Sequence, residues 1–247
     1  MNKDYLYEYA SLERNHWWFL EREEIIKRLL KQFLPQYGRL KILNIGAAAG
    51  RSSEMLAHFG HVTSVEYDVD FLQLLLKSKV EAIAASITNL PFNDNQYDLV
   101  CAFDVIEHID DDSKAFSEMH RVCKNKGFVY ITVPASPGLW SHHDVINNHF
   151  RRYSRESLLC VTANFKTALL LKISYFNFFL YPFIRLSRKL EKPNGKIKNS
   201  NNDFSKYKMF KKLFAAIFSL EKFIVPRFNF PCGVSLIAIY QKKESKK

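Results

Sequence analysis

Apolar residues fall along this chain in short blocks, and between the blocks they return at helical spacing. Residues 3 to 33 show the helical spacing in two stretches divided near Asn15; the second opens with HWWFLER (16 to 22), and Pro35 and Gly38 close the region. From there the two patterns alternate. KILNIG, HVTSVEY, VEAIAAS, YDLVCAF and GFVYITVPA read as strands, with RSSEMLAHF, DFLQLLLKS and the acid-capped DDDSKAFSEMHRVC as the helices among them. Strands alternating with helices predict a parallel sheet covered on both faces.

After the fifth strand comes a polar, histidine-rich loop from Ser136 to Tyr153. SRESLLCVTANF then reads as a serine-capped helix, TALLLKISYF as a sixth strand and GVSLIAIYQKK as a seventh. About sixty residues separate the last two strands, far above the usual connection of about 2 to 6 residues. They run from FNFFLYPFIRLSRKL through the polar linker 192–203 to SKYKMFKKLFAAIFSLEKFIV.

Charge divides the chain unevenly. Up to Phe150 there are 15 basic and 20 acidic residues; from Arg151 onward there are 21 and 5. In the basic part Lys and Arg rim long apolar runs, a pattern suited to an anionic membrane surface more than to nucleic acid. ISYFNFFLYPFI contains Pro182 and is too short to span a bilayer. The N-terminus lacks the apolar core of a signal peptide, so a cytoplasmic protein is expected, and the basic apolar runs suit peripheral attachment to the inner membrane face. Four widely spaced cysteines form no C-x-x-C pair and read as buried free thiols, with no metal framework.

Candidate chemistry begins at ILNIGAAAGRSS (42 to 53). Gly46 stands at a sharp strand-to-helix turn and Gly50 at the helix start, where small residues admit a ligand's close approach. Glu66 ends the second strand, about where such folds place an acid on ribose hydroxyls. The spacing G-x-x-x-G lacks the dinucleotide fingerprint, which disfavours NAD.

These residues resemble the class I S-adenosylmethionine-dependent methyltransferases. Asn44, Gly46, Ala48 and Gly50 align with the family's acidic-x-G-x-G-x-G motif, and the stretches 87–111 and 120–134 continue the likeness. Asn44 and Ala48 depart from the usual acid and glycine, and Ser86 stands where an Asp often meets the adenine amine. HWWF together with His143, Asp144, His149, Arg151, Arg152 and Tyr153 resembles the methyltransferase-domain 23 or type 11 subgroup. The resemblance implies a Rossmann-like seven-stranded α/β sheet with its last hairpin antiparallel. It also implies three parts: an N-terminal helical lid (1–38), a cofactor domain (39–175 and 233–243) and an amphipathic basic insertion (176–232).

It further implies S-adenosylmethionine as cofactor, held by Asn44, Gly46, Ala47, Ala48, Gly50, Glu66, Tyr67, Ser86, Ile87, Phe103, Asp104 and His108. His143 or His149 is the expected base with Asp144 as its orienter, since histidine titrates near neutral pH. Substrate contacts are expected from His16, Trp18, Arg22, His142, Arg152 and Tyr153. Glu107 and His108 are typical of the family, although His108 also reads as a brace after strand four. The expected activity is O-methylation of a small or lipid-linked acceptor, saccharide or isoprenoid in type. The alternatives are a non-catalytic, membrane-associated binding protein and an RNA methyltransferase; no DPPY or NPPY follows strand four, so DNA is disfavoured.

Overall fold

The computed structural model describes residues 3–34, 39–190 and 211–244; the expectations for Pro35, Gly38 and the linker 192–203 lie outside the described residues. Two helices open the chain, α1 (Lys3–Asn15) and α2 (Trp17–Phe33). They part at His16, whose Nδ1 accepts the Trp18 N–H at 3.3 Å and so caps α2.

Seven strands follow: β1 (Leu40–Ile45), β2 (Gly60–Glu66), β3 (Ala82–Ala84), β4 (Tyr97–Phe103), β5 (Cys123–Pro134), β6 (Ala168–Phe176) and β7 (Ser235–Lys242). They form one sheet in the order β3-β2-β1-β4-β5-β7-β6. β7 runs antiparallel to both β5 and β6, and the other pairs are parallel. The order reverses between β1 and β4, so a ligand crevice opens at the carboxyl ends of these strands. β1, β4, β5 and β7 are almost wholly buried, which explains their near-continuous apolar runs.

Eight helices complete the described fold: α3 (Arg51–Leu56), α4 (Val69–Lys77), α5 (Asp112–Val122), α6 (His142–Ile146), α7 (Arg155–Thr162), α8 (Tyr181–Leu190), α9 (Lys211–Ser219) and α10 (Glu221–Ile224). Phe116 and Met119 of α5 and Leu158 of α7 pack on one sheet face. Leu29 and Leu30 of α2, Met55 of α3, Phe218 of α9 and Val225 after α10 cover the other. α2 is thus a layer of the core.

The insertion is divided in role. Trp17 meets Phe218 edge to face at 6.2 Å, and buried Glu221 accepts the backbone N–H groups of Asn177, Phe178 and Phe179. α8 instead leaves Phe183 and Leu186 exposed beside Arg185 and Lys189. Among the described residues no helix is long and apolar enough to cross a membrane.

Three local expectations change. β3 keeps only three residues of the stretch 80–86. The loop from Ser136 to Tyr153 contains a single 3-10 turn, Pro137–Leu139, and the short helix α6, capped reciprocally by Ser141 and Asp144. Cys101 and Cys123 are buried as expected, but Cys160 is exposed and Cys232 half-buried; all four are free.

Candidate active site

The turn after β1 is sharp, as its sequence implied, and its backbone is strained. Gly46, Ala48 and Gly50 all adopt positive φ, at +70°, +45° and +95°. A Cβ on Gly46 would lie 2.4 Å from Val105 Cγ2, so glycine is required there by space as well as by angle. Ala48 holds a glycine-like conformation because its N–H is tied to Glu66 Oε2 at 2.8 Å. Glu66 Oε1 accepts from the Tyr67 and Asp68 amides at 2.8 and 2.9 Å. Burial raises the Glu66 pKa, opposed by these amide donors.

Asn44 is fully buried and donates from Nδ2 to Ser52 Oγ and Ser53 Oγ, each at 2.8 Å. It braces the turn from beneath, a correction to its expected place among the cofactor contacts. Ala47 and Ile87 are likewise buried, Ile87 in the core of the α5 face. Ser86 bonds Thr88 Oγ1 at 2.8 Å, while Tyr67 is exposed beside Glu66.

Beside the start of α3 lies a small open hollow of about 40 Å³, lined by Glu13, Phe19, Arg22, Arg51, Ser52 and Phe103 among others. Glu13 is buried there, and its Oε2 has no hydrogen-bond partner. Burial pushes its pKa up to about 7, against the positive charge of Arg22 and the nearby Arg51 amide. A buried carboxylate beside a glycine-type turn is a candidate partner for a ligand's cationic group, and Glu66 a candidate acceptor for a ligand's hydroxyls. Sequence reasoning missed Glu13, which sits on a helix with no motif around it.

Arg22 reaches from α2 to the ends of β4 and β5. Its Nη2 lies 2.7 Å from Asp104 Oδ2 and 2.7 Å from Thr132 Oγ1, and Thr132 donates to Asp104 Oδ1 at 3.2 Å. Its guanidinium stands over the rings of Trp18 and Phe103. Asp104 itself has φ +56°, so the chain is bent sharply where β4 ends. His16 is spent on capping α2, and it borders a separate hollow with Trp17 and Lys212.

The histidine-rich segment folds back on the turn after β4 through Phe150 N–H to Glu107 O at 2.8 Å. Asp144 is fully buried and gathers His149 Nδ1 at 2.9 Å, Arg152 Nε at 2.8 Å and Ser141 N at 2.9 Å. Burial alone would raise its pKa; the bonds from His149 and the charge of Arg152 hold it well below the ordinary carboxylate range. An ionised carboxylate only accepts, so Nδ1 of His149 carries the hydrogen in this bond.

Two expected substrate contacts are therefore corrected. Arg152 is buried and spends its donors on Asp144 and the Ala135 carbonyl. Tyr153 is also buried, its hydroxyl bonding Asp112 Oδ2 at 2.8 Å and the Ile106 carbonyl at 3.3 Å. His142 and His143 lie exposed on α6, with the His143 ring edge-on to His149 at 6.5 Å.

Glu107 is fully buried with neither carboxylate oxygen hydrogen-bonded, and burial together with the charge of Asp104 pushes its pKa well up. Its carboxylate and the imidazoles of His108 and His149 converge, their ligand-type atoms all within 4.8 Å of one another. The cysteine-based reading of metal spacing did not reach this group, because its members come from two segments far apart in the chain.

Comparison with known proteins finds similarity to methyltransferases. A family model for the methyltransferase domain matches residues 43–131. A Mycobacterium tuberculosis protein named a probable S-adenosylmethionine-dependent methyltransferase is 26% identical over 50% of this chain and 45% of its own. The demethylmenaquinone methyltransferase of Renibacterium salmoninarum is 27% identical over 45% of this chain and 48% of its own. The chain thus spans about half the length of these curated relatives. Among solved structures, Haemonchus contortus phosphoethanolamine N-methyltransferase 2 in complex with S-adenosylmethionine shares the fold. Its TM-score is 0.59 at 18% identity, covering 95% of this chain and 59% of that one.

Proposed function

We propose, from the premise that this chain belongs to the class I S-adenosylmethionine-dependent methyltransferases, that it methylates an oxygen of a small or lipid-linked acceptor of saccharide or isoprenoid type. The cofactor supplies an electrophilic methyl group on a sulfonium. Glu13 holds its amine, Glu66 its ribose, and the turn from Gly46 to Gly50 lets it approach the sheet edge. Phe103 and Trp18 exclude water from the crevice, and Arg22 fixes the bend at Asp104.

The observation that carries the reading is the Asp144–His149 pair at the carboxyl edge. A buried carboxylate fixes the imidazole tautomer, so His149 Nε2 is free to take the proton of an acceptor hydroxyl. The bound cofactor would supply the methyl group to the acceptor oxygen, with its sulfur as leaving group. The relative named for demethylmenaquinone supports an isoprenoid-type acceptor, and the exposed apolar and basic face of α8 supports work at an anionic membrane surface.

Calorimetry with S-adenosylmethionine tests the first step, and product analysis in lipid extracts of deletion and wild-type cells tests the second. Absence of cofactor binding would sink the enzyme reading. It would favour the second one, a non-catalytic membrane-associated protein whose strained Ala48 has closed the turn.

A further inference from the structure

We propose that Glu107, His108 and His149 bind one divalent transition-metal cation beside the acceptor position. The donor atoms already lie within 4.8 Å of one another, so small side-chain adjustments bring all three to about 2.0 to 2.2 Å from a shared ion.

Glu107 is the first argument. A carboxyl group buried without a hydrogen-bond partner is costly, and neither oxygen of Glu107 has one. Neither nearby arginine bonds it: Arg22 bonds Asp104 and Thr132, and Arg152 bonds Asp144 and the Ala135 carbonyl. A metal ion supplies the missing charge and ligand bond together.

His149 is the second. Its Nδ1 hydrogen is held by a buried carboxylate that is itself gripped by Arg152 and Ser141, while Nε2 is left open. A carboxylate behind an imidazole is the arrangement that fixes the tautomer and raises the basicity of metal-bound histidines. The His108 ring stands 4.7 Å away at 80° to it, and the Phe150–Glu107 backbone bond pins the two segments together.

Two nitrogens and one oxygen suit Zn²⁺, Mn²⁺ or Fe²⁺ better than Mg²⁺ or Ca²⁺, which prefer oxygen throughout. Three protein ligands leave positions for an acceptor with one oxygen or two adjacent ones. This step rests on the methyltransferase reading above. On coordination the acceptor hydroxyl acidifies and releases its proton to water, because in the loaded protein His149 Nε2 is a ligand and no longer the base. Methyl transfer to the oxygen then proceeds as before.

The test is titration of chelator-treated full-length protein with Zn²⁺ and Mn²⁺ by calorimetry, with Co²⁺ absorption as the spectroscopic check. One equivalent is expected to bind. Glu107→Gln and His149→Ala should each weaken Zn²⁺ by at least about 100-fold, and Asp144→Asn by about 10- to 100-fold. S-adenosylmethionine affinity of Glu107→Gln, measured in parallel, reports whether the fold and cofactor site survive. Zn²⁺ binding that is absent, unchanged by both ligand variants, or weaker than Mg²⁺ binding overturns the proposal. If the cofactor binds and metals do not, the methyltransferase reading stands and the metal site falls. If metal binds and the cofactor does not, the metal site stands and the methyltransferase reading falls.

Discussion

Replacing Glu13 with glutamine should make the protein more stable at pH 8 and leave it nearly unchanged at pH 4.5. Glu13 is buried, and its pKa rises from the ordinary carboxylate value of 4.5 to about 7. Below about pH 4.5 the group is protonated in the folded and unfolded chains alike and costs nothing. As pH rises, the unfolded chain ionises first, so stability is lost progressively until the folded group ionises at about 7. At about 1.4 kcal/mol per factor of ten, the full loss is about 3 kcal/mol. Urea unfolding of wild type and Glu13→Gln across this range reads the difference directly. Glu221, also raised to about 7, contributes a loss of the same sign to both proteins and cancels in the comparison.

The same residue gives the experiment a functional arm. If Glu13 receives the amine of S-adenosylmethionine, wild-type affinity should increase from about pH 6 to about pH 8 as the carboxylate ionises, and the glutamine variant should show a flat profile. A glutamine variant no more stabilised at pH 8 than at pH 4.5 would refute the burial argument. A flat wild-type binding profile would refute the assignment to the cofactor's amine.

The other expectations are local. Ala48→Gly should stabilise the chain by about 1 kcal/mol and tighten S-adenosylmethionine in calorimetry, because φ of +45° costs alanine and not glycine. Gly46→Ala should cost about 2 kcal/mol in urea unfolding and lose cofactor binding, since its Cβ would sit 2.4 Å from Val105 Cγ2. Arg22→Ala should destabilise by about 2 kcal/mol by leaving Asp104 without its cation, with no recovery in Arg22→Lys because the lysine cannot reach Asp104 and Thr132 together. Phe183→Asp with Leu186→Asp should reduce co-sedimentation with anionic liposomes at unchanged thermal stability, because both side chains are exposed.

The sheet was legible because its central strands are buried on both faces and so write continuous apolar blocks into the sequence; YDLVCAF coincides with β4 residue for residue. The insertion was legible as amphipathic helices, but not its division into a core half and an exposed half. Phe218 and Phe183 look alike in sequence, and only packing on Trp17 separates them. Arg152 and Tyr153 were read as substrate contacts for a similar reason. A basic and aromatic run looks the same whether it faces a ligand or turns inward to Asp144 and Asp112. Residue type alone suggested pairing Asp144 with a nearby histidine, and the two do bond, whereas the meeting of Glu107 with His149 depends on how two loops fold together, which no local spacing encodes.

The two departures in the cofactor turn prove to be different in kind. An acid at position 44 would accept hydrogen bonds from Ser52 and Ser53; asparagine donates to both, and Ser53 in turn shares a hydrogen with Ser64 at 2.8 Å. The network is reversed in direction but still present, and no charge is buried at a fully enclosed position. Asn44→Asp would place a carboxylate there among hydroxyl donors with no cation bonded to the site, so it is not a route to tighter cofactor binding. Ala48 is otherwise. Its strain is local, its N–H is held by the Glu66 carboxylate, and under the proposed placement a ribose hydroxyl would share that carboxylate with it. The weakness of this turn therefore resides at Ala48, in a backbone angle that one glycine relieves.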